Sequence, residues 1–95
     1  SRYPSIRRDL SLLVPETVSA AQLQQTIISQ GGAELKEMLV FDVYDGPGVE
    51  QGYKSLAIGL ILQKDSSTLT DADADTFVTR LLDDLRAQLG VTLRG

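Results

Sequence analysis

The chain contains neither cysteine nor histidine. Without cysteine there is no disulfide framework to hold a small fold together and no thiol chemistry, and a cytoplasmic setting is favoured over a secreted one. Without histidine as well, a His/Cys zinc site and a Ser-His-Asp triad are excluded within this chain. Tryptophan is missing and aromatics are only 5% of residues. Long apolar runs are missing too: the longest, 56–62, falls well short of the roughly 20 residues that span a membrane, and the opening "SRYPSIRRDL" lacks the apolar stretch of a signal peptide.

What is present fits one soluble folding unit. At 95 residues, 42% hydrophobic and 23% charged, the composition is that of a globular domain with a single core, so the expectation is one domain over 1–95. Opening on a proline-containing segment and stopping at "VTLRG", the chain reads as a module of something longer. The net charge of −4 argues at first against a nucleic-acid partner. Its distribution says otherwise. Between Asp65 and Arg86 stand six acids and two bases, which account for all of the −4, and the remainder of the chain is neutral.

Periodicity orders the elements. In "RRDLSLLV", Leu10, Leu12 and Val14 alternate with Asp9, Ser11 and Leu13, the pattern of a strand with one buried face, which Pro15 ends. Ser19 and Gln22 are spaced as a capping box, with Val18 and Leu23 as a hydrophobic staple. The helix they open carries Leu23, Ile27 and Ile28 as its stripe and stops at Gly31-Gly32. Alternation resumes over 34–44, with Leu39, Phe41 and Val43 on one face and Met38, Val40, Asp42 and Tyr44 on the other. The turn "DGPGVEQG" then leads into a strand that directs Leu56, Ile58, Leu60 and Leu62 one way, so these two strands form a hairpin. Thr70 with Asp73 opens a second helix whose stripe is Phe77, Val78, Leu81, Leu82, Leu85 and Leu89. Gly90 closes it, and "VTLR" is a short last strand.

The order βαββαβ predicts an α+β, ferredoxin-like sandwich: a four-stranded antiparallel sheet in the order 4-1-3-2 with two helices on one face. The other face is then open, and function is sought there. Parity places Arg7, Asp9, Ser11, Leu13, Asp42, Tyr44, Ser55, Ala57, Gly59, Thr92 and Arg94 on it. Tyr44, Ser55 and Ser11 or Leu13 are expected near one edge, with Arg94 near Arg7 at the opposite end. One aromatic among small and hydrogen-bonding residues, flanked by arginines, fits an unstacked base lying on Tyr44 with a phosphate reaching an arginine. Each residue also has a structural reading. Tyr44 is an ordinary strand former, Asp42 ends strand pairing, Ser55 and Gly59 make room for a neighbour, and Arg7 with Arg8 is a solvated pair.

Three further patterns carry no chemistry. "DADAD" at 71–75 opens like a calcium loop, but Thr76 replaces the glycine and Leu82 the closing glutamate, and acids in a first helical turn answer the helix dipole. "GPG" lacks the Lys-Ser/Thr of a phosphate loop. The leucine stripe of the second helix is core.

Taken in order, "YPSIRRDLSLLV", "FDVYDGPGVEQGYKSLAIGL", "TLTDADAD" and "GVTLRG" resemble the ferredoxin-fold anticodon-binding domain that ends the β subunit of bacterial phenylalanyl-tRNA synthetases. The resemblance runs over the whole chain. Its strongest parts are Pro4, Arg8 and Asp9, the Phe-Asp-Val-Tyr-x-Gly segment, Lys54-Ser55-Leu56-Ala57 and Thr68-Leu69-Thr70-Asp71. It implies a module that holds the anticodon stem-loop of tRNA(Phe) and helps to recognise GAA, with Asp42, Tyr44, Ser55, Ser11 and Arg94 at anticodon-facing positions. Tyr44 would stack, and Asp42 and Ser55 would supply hydrogen bonds. It also implies a cytoplasmic (αβ)2 heterotetramer in which the ATP, magnesium and amino-acid sites lie in the α subunit and editing lies elsewhere in the β subunit. This domain itself would hold no catalytic residue and no cofactor. Two other classes remain beside this one: a structural or protein-interaction domain of the same fold, and a small-molecule regulatory domain of ACT type.

Overall fold

The computed structural model describes residues 3–94; Ser1, Arg2 and Gly95, included in the single-domain reading, lie outside the described residues. The elements are β1 (Ile6–Pro15), α1 (Ala20–Gly31), a 3-10 turn (Gly32–Glu34), β2 (Leu35–Tyr44), β3 (Tyr53–Leu62), α2 (Asp71–Leu89) and β4 (Thr92–Leu93). The sheet is antiparallel in the order β2-β3-β1-β4, which is the expected order read from the other edge. This is the ferredoxin-like fold.

The core forms because one face of the two central strands is apolar at every second residue. Leu12 and Val14 of β1 and Leu56, Ile58, Leu60 and Leu62 of β3 are fully buried. They meet Leu23 and Ile27 from α1 and Ala74, Leu81 and Leu85 from α2. Removing a side chain such as Ile58 from this layer would cost roughly 2–5 kcal/mol. Ile28, expected in the α1 stripe, is 54% exposed. At 100° per residue it lies too far round the helix to share the face of Leu23 and Ile27.

Strand β2 departs furthest from simple alternation. Its register slips twice against β3, between Leu35 and Glu37 and again between Val40 and Asp42. Met38 and Val40 pair with Leu60 and Ile58, so they share the helix-side face, whereas Leu39 pairs with Gly59 on the open side. The second slip, at Phe41, resets parity. Asp42 opposite Ala57 and Tyr44 opposite Ser55 therefore occupy the open face, and Val43 opposite Leu56 does not. The expectation that Leu39 and Phe41 share a face with Val43 is thus corrected: a bulge adds a residue that alternation cannot count.

Length explains why the rest of β2 is uncovered. Twelve residues of helix span about 18 Å, while ten residues of strand span about 33 Å. Beyond Met38 no β2 residue is buried.

The acids of "DADAD" are used structurally. Thr70 Oγ1 accepts from the Asp73 amide at 3.1 Å and an Asp73 carboxylate oxygen accepts from the Thr70 amide at 3.1 Å, a complete capping box. Arg8 of β1 reaches Asp71 at 3.2 Å and Asp75 at 3.6 Å, tying the sheet to the first turn of α2. Among the described residues no group of three or more acidic, His or Cys side chains is arranged to hold a metal ion. Among the described residues no helix is long and apolar enough to cross a membrane.

The backbone and side-chain hydrogen bonds from Thr70, followed by the one from Lys64, hold the Asp73 carboxyl below its ordinary value of 3.8. A carboxyl whose pKa is lowered by folding contributes stability that is complete above its unfolded value and is lost as pH falls through the folded one. Urea unfolding should therefore find D73N less stable than the parent at pH 6, with the gap narrowing below pH 3.8. A gap of constant size down to pH 2 would contradict the charged cap.

Candidate nucleic-acid interface

The antiparallel register arranges the open face in rows. Tyr44, Ser55, Leu13 and Thr92 lie across from one another; the next row holds Asp42, Ala57 and Ser11; the third holds Leu39, Gly59 and Asp9; the fourth, Glu37, Ile61 and Arg7. Tyr44, Ser55, Leu13 and Ser11 are thus brought together at one end, as expected, and Asp42 lies with them in the second row.

Arg94 joins that end. Its amide donates to the Ser11 carbonyl at 2.7 Å, which continues the β4 pairing by one residue. Its side chain then crosses β1, donating from Nη1 to Ser55 Oγ at 3.1 Å and from Nη2 to the Gly48 carbonyl at 3.2 Å. The expectation that Arg94 neighbours Arg7 is corrected by the register, since β4 meets β1 only at Leu12 and Leu13 and leaves Arg94 beside Ser11, and the side chain then reaches two strands from its own backbone.

Ser55 is 6% exposed, and its hydroxyl is the seat of the Arg94 guanidinium. Tyr44 is 41% exposed and donates from its hydroxyl to the Pro47 carbonyl at 2.7 Å. The loop between β2 and β3 is therefore held at two successive carbonyls, Pro47 by Tyr44 and Gly48 by Arg94. Gly46 permits the first contact: a Cβ there would come within 3.2 Å of the Tyr44 hydroxyl. Gly48, with φ 92°, makes the backbone turn that the second contact requires.

The other end of the face has its own arrangement, which alternation concealed. Phe41, re-aimed by the bulge, lays its ring over Gly59, where an added Cβ would meet Cζ at 2.9 Å. The Arg7 guanidinium carbon sits 4.8 Å from the ring centroid, a cation–π distance. Asp9 accepts from Arg7 Nε at 2.9 Å. Arg7 and Arg8 do not form a pair: the first belongs to the open face, the second to α2.

Two aromatic side chains, two arginines and two exposed aspartates on a sheet face floored by small residues make a surface suited to splayed bases rather than to a duplex. The sequence profile of the ferredoxin-fold anticodon binding domain matches residues 1–94. This chain belongs to that family. Its curated relatives include the phenylalanine-tRNA ligase beta subunit of Xanthomonas campestris pv. campestris, 48% identical over 95 residues, which are 100% of this chain and 12% of that protein. The protein of the same name from Xanthomonas euvesicatoria pv. vesicatoria is 54% identical over 79 residues, 83% of this chain and 10% of that one. The one from Methylococcus capsulatus is 43% identical over 94 residues, 99% of this chain and 12% of that one. This anticodon binding domain therefore spans about one-eighth of the length of the relatives it matches most fully.

Within the domain the loop latch is directly measurable. The Val49 amide, bonded to the Gly46 carbonyl at 3.1 Å, reports on it. Tyr44→Phe and Arg94→Ala should each speed hydrogen exchange at Val49 by roughly two- to tenfold, the worth of one hydrogen bond. Amides of β3 should be unaffected. Unchanged exchange at Val49 in both variants would show that neither side chain holds the loop.

Proposed function

We propose that the open face binds the anticodon stem-loop of tRNA(Phe), as one module of a phenylalanine-tRNA ligase beta subunit. The observation that carries the reading is the cluster at one end of the face, where an exposed tyrosine, an exposed aspartate and a seated arginine converge within an anticodon binding domain. The names of the relatives supply the ligase and its amino acid.

In this reading Tyr44 stacks an unpaired base, and Asp42 accepts from the amino edge of a base or from a ribose hydroxyl. Arg94 uses two donors on Ser55 and Gly48 and offers the others to a phosphate or to an acceptor on a base. Ser55 orients Arg94, Ser11 lines the row beside it, and Arg7 draws the backbone at the far end. The domain contributes selectivity and makes no bond. ATP, magnesium and the partner subunits of an (αβ)2 enzyme are served by other parts of the cytoplasmic ligase.

Charge sets a limit on the strength of binding. Arg7 and Arg94 on the face are outnumbered by Asp9, Asp42 and Glu37, so few counterions are released when RNA docks. Binding of a stem-loop should depend on salt with a log–log slope no steeper than about −1.5, the value for two phosphate contacts to a single strand.

An NMR titration of the labelled chain with a stem-loop carrying GAA, beside one in which those three bases are replaced, tests the assignment. Shifts at Asp42, Tyr44 and Arg94 that require GAA are expected, and Tyr44→Ala should weaken binding by about 1–3 kcal/mol. Equal shifts with both RNAs would leave a non-specific face. If Tyr44→Ala disturbed association with other parts of a ligase and left RNA binding intact, the face would be a packing surface.

A further inference from the structure

We infer that the open face carries a second position for a splayed nucleotide base, remote from Tyr44, in which the Arg7 guanidinium is the stacking plane, Phe41 backs it and Asp9 fixes its edge. The inference rests on the nucleic-acid reading above and adds to it a site that reading does not contain.

The geometry is built in layers. Gly59 provides a floor without a side chain, and the Phe41 ring lies across it because any Cβ would fall 2.9 Å from Cζ and 3.0 Å from Cε2. Arg7 lies on the ring with its guanidinium carbon 4.8 Å from the centroid. Asp9 takes Nε at 2.9 Å, which fixes the plane from one edge. Arg7 keeps 49% of its side-chain surface exposed and Asp9 62%, so the layer ends at solvent. Among the described residues the two Nη groups of Arg7 and the second oxygen of Asp9 have no hydrogen-bond partner.

A guanidinium held over an aromatic ring, with its outer side at solvent, offers a π-face on which an unstacked base lies. The free Asp9 oxygen beside it accepts from an exocyclic amino group, as on adenine N6 or cytosine N4, and repels the O4 of uracil. The ligand class is therefore a single-stranded loop nucleotide with an amino-bearing base. From Ser55 to Gly59 the face advances four residues, about 13 Å. That is several times the roughly 3.4 Å between stacked nucleotides. The two positions therefore take bases that have left the stack.

The test uses the whole 95-residue chain and the GAA stem-loop. Shifts at the Phe41 ring and Arg7 Nε, beside those at Tyr44, are expected. Phe41→Ala and Arg7→Ala should each raise Kd about fivefold or more. Arg7→Lys keeps the charge and loses the plane, so it should weaken binding nearly as much as Arg7→Ala, and it guards against a Phe41→Ala variant that fails to fold. Replacing the loop adenines by uridine should remove the Phe41 shifts. Shifts confined to the Tyr44 end, or an Arg7→Lys variant that binds like the parent, would overturn the second position and leave the proposed function standing. Shifts at Phe41 and Arg7 alone would support this position against Tyr44. No shift at millimolar RNA would overturn both.

Discussion

The four side chains that β3 sends toward the helices, Leu56, Ile58, Leu60 and Leu62, are withdrawn from water completely, and this burial sets the phase of the whole strand. Strand β3 pairs on both edges, with β1 and with β2, so its backbone is committed as well. Fixing β3 this way fixes which of its residues face outward, and in the middle of the strand these are small: Ser55, Ala57 and Gly59. The open face is therefore shallow in the middle and raised along β2 and β1. Side chains from the flanking strands lean over it, Phe41 and Arg7 above Gly59 and Arg94 above Ser55. The candidate interface is a consequence of core packing on the opposite side of the same strand.

Much of this was legible in the sequence, and the exceptions have particular causes. Period-two alternation describes β1 and β3 because both are central and the core enforces their phase. It fails on β2, an edge strand held by one neighbour, where two slips of register cost little. The slip at Phe41 hid the second aromatic of the open face, and the signal that could have found it was Gly59, a gap in a central strand that asks what lies over it. The helix starts were legible to the residue, since capping is a local interaction between side chain and backbone; the Thr70–Asp73 box formed in full. The place of the Arg94 tip was not. Backbone register locates its Cα beside Ser11, but the guanidinium is set by the partners it finds across the sheet.

Electrostatics are sorted by layer. The acids that open α2 answer its own dipole, Arg8 and Lys64 on the helix side, at 3.2 Å for Asp71 and 3.3 Å for Asp73. They lie on the far side of the sheet from the rows that carry Arg7 and Arg94. An acidic protein can thus present a face on which arginines nearly match the acids, and the sign of the total charge says little about the partner of one surface.

The loop between β2 and β3 shows what such an arrangement forbids. Exposed hairpin loops are where chains ordinarily accept added residues, because nothing but water holds their backbone. Here Pro47 and Gly48 are each tied by their carbonyls to a side chain of the sheet face. An insertion between Tyr44 and Gly48 would detach the tyrosine ring from its stop, and one between Gly48 and Ser55 would strand Arg94 between partners that no longer lie within its span. Divergence of this loop in length is therefore bound to divergence of the face beside it.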